Sequence, residues 1–444
     1  MRLSIFVAHT AAWLMLPATA WAFPYKVHTR TLDNGCELVV VPMPAQGVVA
    51  TAVWMDVGSR NEVEPGRTGF AHFFEHLLFS GTEQLSRADR ERALLQLGIG
   101  DNAWTALDET VYHAVSDTRS LDEWMGIQAD MVAHLALTAD QVERESGAVY
   151  GEYRKTQASP DFHLEQALRG AAYTTHPYGH DTLGYEADIA AMPSAYPYAL
   201  EFYARWYQPE HARVLLVGDI EPEAGFSLLE KHFGPWESAA VAVPEVPAEP
   251  PQEGPRQATV PWDSEIPPHL VLAWRIPAHD PHSDDLAALE LAESLLLGPA
   301  GRLQNRLIRE EALALRVSGG REATVDPGLF TIHVELKPGA SREQVEQIID
   351  AELDTLVEGV DPALLERTRS HVKYSTLTRL DDPGTVLYVV GSQLRRGADP
   401  DHIGEFGERV AATEAAGLGR AVAKHLGSDN RTTVWLAHEV PDAQ

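Results

Sequence analysis

The stretch Gly69-Phe70-Ala71-His72-Phe73-Phe74-Glu75-His76-Leu77-Leu78-Phe79 reads as a helix with imidazoles at positions i and i+4. One turn apart on the same helical face, both rings can reach one ion. Glu75 stands beside the second histidine, which gives the inverted His-x-x-Glu-His order. In a chain with 19 histidines and 65 acidic residues such a pentapeptide also arises by chance, so the surrounding sequence must decide.

Upstream of the motif, the apolar runs Glu37 to Val41 and Val48 to Val57 flank Pro42-Met43-Pro44 and read as strands, and Asn34-Gly35 is a turn signal. Downstream, a second helix is expected from Arg87 to Leu97, stopping at Gly98 and Gly100. Asn102 to Val115 then alternates as a strand does, and helices are expected over Ser120 to Leu137 and Ala139 to Gln157. The pattern stops near Phe233-Gly234-Pro235. Residues 239–255 hold five prolines among acidic residues, the composition of an extended linker.

Beyond that segment the order of elements restarts. Leu270 to Ile276 reads as a strand, Asp284 to Leu297 and Gly301 to Glu311 as helices, Leu329 to Leu336 as a strand, and Ser341 to Glu358 and Pro362 to Leu380 as helices. The expected class is therefore α+β: two similar α/β halves, each a sheet with helices, joined by the Pro-rich linker. The halves run over 23–238, which holds the metal motif, and 256–444.

A catalytic zinc takes three protein ligands and a water, so a third ligand is sought on a rigid downstream element. Glu145 and Glu152 stand two turns apart on one expected helix and share a face. A solvated stripe of carboxylates reads the same way, and spacing does not choose between the two. His113, His134 and His180 are further histidines whose ordinary role is structural.

Bulk properties narrow the function classes. With 44% apolar and 23% charged residues the chain buries a large core. A formal net charge of −30 opposes binding to nucleic acid, which is itself a polyanion. Cys36 is the only cysteine, so intrachain disulfides are excluded and a metal site must use His and carboxylates. Met1-Arg2, the apolar run Leu3 to Leu16 and Ala20-Trp21-Ala22 form a signal peptide over 1–22, with cleavage expected after Ala22 and a periplasmic destination. An uncleaved anchor is the alternative, but the run is short for a bilayer span and carries His9 and Thr10. No later stretch predicts stable membrane insertion.

Many further residues fall in one order. Trp54, Gly58-Ser59-Arg60, Glu62, Gly69, His72, Glu75-His76, Phe79 and Gly81-Thr82 are followed by Asn102-Ala103-Trp104-Thr105, Asp108, Thr110 and Tyr112. The Glu145 to Glu152 stretch comes next, then His176-Pro177-Tyr178-Gly179, Phe202-Tyr203, Trp206-Tyr207 and Val217-Gly218-Asp219. The series resembles the insulinase and mitochondrial-processing-peptidase family, the M16 metallopeptidases, over nearly the whole chain after residue 22. The resemblance implies a zinc endopeptidase with one Zn2+ per chain, held by His72, His76 and Glu152, the last 76 positions after His76. It implies that Glu75 is the general base, that Glu145 supports the site, and that the Asn102 to Thr105 strand receives an extended peptide, with Asn102 and Ala103 touching substrate. An ordinary sheet edge is the alternative for that strand, and Trp104 is expected to be packing.

The second half departs from the pattern. Its helix Asp284 to Leu297 has no histidine, and in Arg309-Glu310-Glu311-Ala312-Leu313-Ala314-Leu315-Arg316 the family's substrate-binding arginine matches Arg309 while Leu315 stands where its tyrosine belongs. Family members of this length resemble half of a closed chamber. The expected partner is thus a zinc-less homologous subunit supplying the arginine and tyrosine, with a homodimer as second choice. A non-catalytic scaffold of the same fold is the alternative function. It has no need to keep His72, Glu75, His76 and Glu152 together, and a zinc store has no need of Glu75.

Overall fold

The computed structural model describes residues 23–377 and 380–438; the expected signal peptide, with its cleavage site after Ala22, lies outside the described residues. The first sheet contains β1 (His28–Thr31), β2 (Glu37–Pro42), β3 (Val48–Met55), β4 (Asp101–Thr105), β5 (Thr110–Asp117) and β6 (Ala212–Gly218) in the order β1-β2-β6-β3-β5-β4. The second contains β7 (Arg256–Trp262), β8 (His269–Arg275), β9 (Ala314–Arg321), β10 (Leu329–Leu336) and β11 (Arg431–His438) in the order β7-β11-β8-β10-β9. Apart from β1 the two sheets match strand for strand. In each, one parallel pair (β2 with β6, β7 with β11) is followed by three antiparallel neighbours. The chain is α+β, with two sheet-plus-helix domains.

The helices of the first half are α1 (Phe70–Leu78), α2 (Arg87–Leu97), α3 (Leu121–Ala133), α4 (Ala139–Thr156), α5 (Pro160–Ala172), α6 (Glu186–Ala191), α7 (Tyr196–Trp206) and α8 (Pro222–Phe233). Those of the second are α9 (Asp284–Leu297), α10 (Arg342–Glu358), α11 (Pro362–Leu377), α12 (Pro383–Arg395), α13 (Glu405–Ala412) and α14 (Ala415–His425). None of the described helices is long and apolar enough to cross a membrane.

Four details differ from the expectations. The Asn102 to Val115 strand is two strands, because Ala106 donates to the Glu109 carbonyl and turns the chain. The helix expected to reach Leu137 stops at Ala133: Leu135 bridges to Thr82, and the Tyr203 hydroxyl donates to the Val132 carbonyl while accepting from Leu135 N–H. Gln304–Glu310 winds as a π-helix rather than an α-helix. Strands β1, β6, β7, β9 and β11 are not among the expected elements; in β7 every residue is at least partly exposed, so no apolar run marks it.

Packing joins the halves more closely than the sequence order suggests. β2 and β6 are buried along almost their whole length, as expected for strands covered on both faces. One face of the first sheet packs on its own helices, α1 among them. The other face is covered by α12, whose Val386, Leu387, Val390 and Leu394 meet Val39, Ala52, Trp54 and Leu215. Reciprocally, Leu164, Leu168 and Ala172 of α5 pack on Val271, Ala273, Val434 and Leu436 of the second sheet. Each such aliphatic side chain contributes roughly 1.5–3 kcal/mol, far more than an exposed ion pair at roughly 0–1 kcal/mol. The exchange of helices is thus an apolar clamp.

Polar contacts fix its register. The Arg60 Nε–Asp326 Oδ2 distance is 2.5 Å and the His176 Nε2–Asp326 Oδ2 distance 2.9 Å. Asp108 accepts from the Tyr178 hydroxyl at 2.5 Å and from Val325 N–H at 2.9 Å. Residues 236–255, which hold the proline run, form neither helix nor strand, and Glu249 within them accepts from the N–H groups of Thr174, Thr175 and His176.

Two outcomes are expected. Gly391 of α12 lies against Trp54, and a Cβ there would come within 2.3 Å of the indole. A Gly-to-Ala change inside a helix ordinarily stabilises by about 1 kcal/mol, but Gly391→Ala should destabilise by about 1–3 kcal/mol through overpacking, measured by urea unfolding. The His176 hydrogen bond and the Arg60 charge, working against burial, hold the Asp326 carboxyl at about 2, below its ordinary 3.8. A depressed carboxylate stabilises above its unfolded value and loses that contribution as pH falls through the folded one. The stability gap between the parent and Asp326→Asn should therefore be full at pH 6 and shrink between pH 4 and pH 2, read from unfolding midpoints.

Candidate metal centre

Helix α1 buries Phe70, Phe73, Phe74, Leu77 and Leu78, and this fixes its rotation about its own axis. Phe74 stacks on Phe202 with ring centroids 5.0 Å apart. The N-terminus is held by Glu62, whose two carboxylate oxygens accept from Gly69 N–H and Ala71 N–H, each at 2.7 Å. Burial pushes the Glu62 carboxyl up, while these two N–H groups pull the other way. A carboxylate at this end also meets the positive pole of the helix. Gly69 has φ +85°, and a Cβ there would lie 2.3 Å from Ile189, so glycine is required where the chain enters the helix.

His72 and His76 leave the same side of α1, their ring centroids 4.9 Å apart. Glu152, on α4, completes the group: its Oε2 lies 3.8 Å from His72 Nε2 and 3.4 Å from His76 Nε2. All three donor atoms fall within 4.8 Å of one another. These separations exceed the ~2.7–3.2 Å of an N–H···O hydrogen bond, so three lone-pair donors converge without bonding each other. Burial, followed by the neighbouring His76, lowers the His72 imidazole to about 4 against the pull of Glu152, which keeps it neutral as a ligand must be. Two imidazoles and a carboxylate are a donor set suited to Zn2+.

Glu75 points to the same region from α1. The Thr105 hydroxyl, at the end of β4, donates to Glu75 Oε2 at 2.6 Å. Burial raises the carboxyl's proton affinity, opposed in part by this hydrogen bond and by His76. Among the described residues strand β4 pairs only with β5, so its other edge carries unpaired N–H and C=O groups there. On it Asn102 is exposed and Ala103 buried, and Trp104 packs edge-on against Trp54 and beside Tyr388. In the sequence Thr105 stands out only as part of the strand, because its bond to Glu75 joins residues 30 positions apart and leaves no local signal.

Other named residues lie apart from the cluster. Glu145 is buried and accepts from Arg87 at 3.3 Å and Arg144 at 3.1 Å, and it is not among the three converging donors. Arg309 is exposed and donates to Asn305 four residues earlier in its own π-helix. Leu315 is 47% exposed on β9. His113 stacks beside Trp104, His134 pairs with Asp130, and His180 Nδ1 bonds the Asp181 carbonyl. Cys36 is buried, which pushes its thiol up to about 12.

Comparison with known proteins places this geometry. Residues 38–186 match the family described as insulinase (peptidase family M16), and residues 197–372 match the peptidase M16 inactive domain. The chain is 28% identical to the zinc protease PqqE of Helicobacter pylori over 93% of each chain. The crystal structure of a protease from Helicobacter pylori, also 28% identical, superposes with a TM-score of 0.88 over 93% of this chain and 99% of that one. The periplasmic protease PqqL from Escherichia coli, at 19% identity, shares the fold with a TM-score of 0.77 over 93% of this chain and 48% of that one. The two matched domains, together with the His72–His76–Glu152 cluster, establish that the chain belongs to the M16 (insulinase) family of zinc metallopeptidases.

Proposed function

We propose that the chain is an exported, periplasmic zinc endopeptidase that hydrolyses peptides or unfolded polypeptides, with residues 239–255 linking its halves. The observation that carries this reading is the convergence of three free donors beside a carboxylate that is itself held by the end of an unpaired edge strand. His72, His76 and Glu152 would hold one Zn2+ per chain. When bound, the ion supplies Lewis acidity toward water and the scissile carbonyl.

The protein's own groups do the rest. An extended peptide adds to the edge of β4, where backbone pairing at Asn102 and Ala103 gives affinity with little demand on sequence. Thr105 orients the Glu75 carboxylate. Glu75 takes a proton from the attacking water and returns it to the leaving amine, a task favoured by the raised proton affinity that burial gives it. Glu145, bonded to Arg87, braces α4 against α2 and so keeps Glu152 in place.

The second half completes the site in a two-chain chamber. With Leu315 in place of a hydrogen-bonding side chain, donors to the far side of the substrate come from a zinc-less homologous subunit with an arginine and a tyrosine; a homodimer using Arg309 is the second choice.

Glu75→Gln should retain stoichiometric zinc while peptide hydrolysis falls at least about 100-fold, whereas Glu152→Ala should lose zinc as well as activity. Zinc content and turnover measured on both variants separate the two roles; near-normal turnover by Glu75→Gln would remove it from the mechanism. The purified chain alone should bind zinc yet cleave peptides poorly until the partner subunit is added. Full activity as a homodimer, with no response to a second protein, would exclude the heterodimer.

A further inference from the structure

The turn between β4 and β5, Ala106 to Glu109, follows directly on Thr105, whose hydroxyl holds Glu75. Part of its support comes from the first half. Ser59 and Arg60 donate their N–H groups to the carbonyls of Ala106 and Leu107 at 3.3 and 2.8 Å, and the Tyr178 hydroxyl donates to Asp108. Gly58 lies so near that a Cβ there would come within 2.4 Å of both carbonyls.

Further support crosses from the second half, which supplies none of the three converging metal donors. Arg395, the last residue of α12, donates to the Asp108 carbonyl from Nη2 at 2.9 Å and from Nε at 3.3 Å. Its Nε also lies 3.2 Å from Asp56 Oδ1, just past the end of β3, so one guanidinium ties the turn to the neighbouring strand. Val325 N–H donates to Asp108 Oδ2 at 2.9 Å. Asp108 and Glu109 are buried; burial pushes the Glu109 carboxyl up, and Arg396 and then Arg395 oppose this. Leu394, beside Arg395, is buried against the first sheet, which keeps the guanidinium from withdrawing. A hydroxyl that must stay 2.6 Å from a carboxylate tolerates little movement of the turn that follows it.

We propose that Arg395 is a positioning residue for peptide hydrolysis: by holding the turn at Asp108 it sets the Thr105 hydroxyl and, through it, the Glu75 carboxylate. The role rests on Glu75 as the general base. The half without metal ligands then has a part in the reaction.

Saturation kinetics on a quenched fluorescent peptide, run on whichever assembly of the chain turns over fastest, and amide hydrogen exchange test this. Arg395→Met should lower kcat at least about tenfold, with KM within about twofold of the parent and zinc content unchanged. Its amides at 105–110 should exchange faster while those of α4 keep their protection. Arg395→Lys, which keeps the charge but is too short to keep both donors on Asp108, should recover part of the lost kcat. Thr105→Val should lower kcat likewise, and adding Arg395→Met to it should cost no more than about a further twofold, because the two act along one path. Val386→Ala loosens the same helix without touching the turn; it should lower the melting temperature and leave kcat within about twofold. Losses that multiply in the double variant, an unchanged kcat, a rise in KM alone or an equal fall of kcat in Val386→Ala would each overturn the proposal. Unchanged exchange at 105–110 would overturn it even where no peptide is cleaved. Should Arg395→Met not fold, Arg395→Lys carries the same comparison with Thr105→Val, and parent-level kcat with parent-level exchange would then overturn it. Normal turnover by Glu75→Gln would instead remove the base itself, whereas an inactive Glu75→Gln beside a fully active Arg395→Met defeats only the role of Arg395.

Discussion

Each of the two sheets has apolar residues on both faces, yet each half of the chain supplies helices for only one of them. The uncovered face would leave Trp54, Leu215 and Val217 on one sheet, and Val271, Ala273 and Leu436 on the other, against water. Exchange of α12 for α5 removes both deficits together. Neither half can therefore complete its core alone, and the angle between the halves is fixed by close packing. The polar seam through Arg60, Asp108, His176, Tyr178 and Asp326 then selects one register.

That rigidity is what the metal centre needs. His72 and His76 are positioned by one helix, but Glu152 comes from another and Glu75 is oriented from a strand. A shift of about 1 Å between α1 and α4 would separate the donors, and such a displacement can cost about 100-fold in rate. Glu62 prevents α1 from sliding by accepting from two N–H groups at its start, and α4 is braced through Glu145 to Arg87. Residues outside the cluster thus determine whether its three donor atoms converge.

The two halves illustrate how one scaffold carries different chemistry. Both place a helix against an edge strand and bond the strand's last residue to a helix carboxylate. In the first half the helix face bears imidazoles and opens toward solvent through Glu152, which is 45% exposed in its side chain. In the second a cavity between α9, α12 and α13 is lined instead by guanidinium, carboxylate and amide groups. Site identity resides in a few side chains, while the backbone plan is shared.

Features that depend on local spacing can be read along the chain. The i and i+4 histidines, the adjacent Glu75, the long helices and the restart of elements after residue 255 are all legible, because helical and strand periods are short-range properties. Glu152 is singled out in the sequence only by the ordered resemblance, since the spacing of Glu145 and Glu152 fits a solvated stripe as well as a metal-binding pair. Only the tertiary structure separated these two, burying Glu145 under arginines and turning Glu152 to the histidines. It alone revealed the bond from Thr105 to Glu75 and the helix exchange. Each of these joins residues that are distant in the chain, and contacts of that kind are decided by the common core rather than by any local pattern.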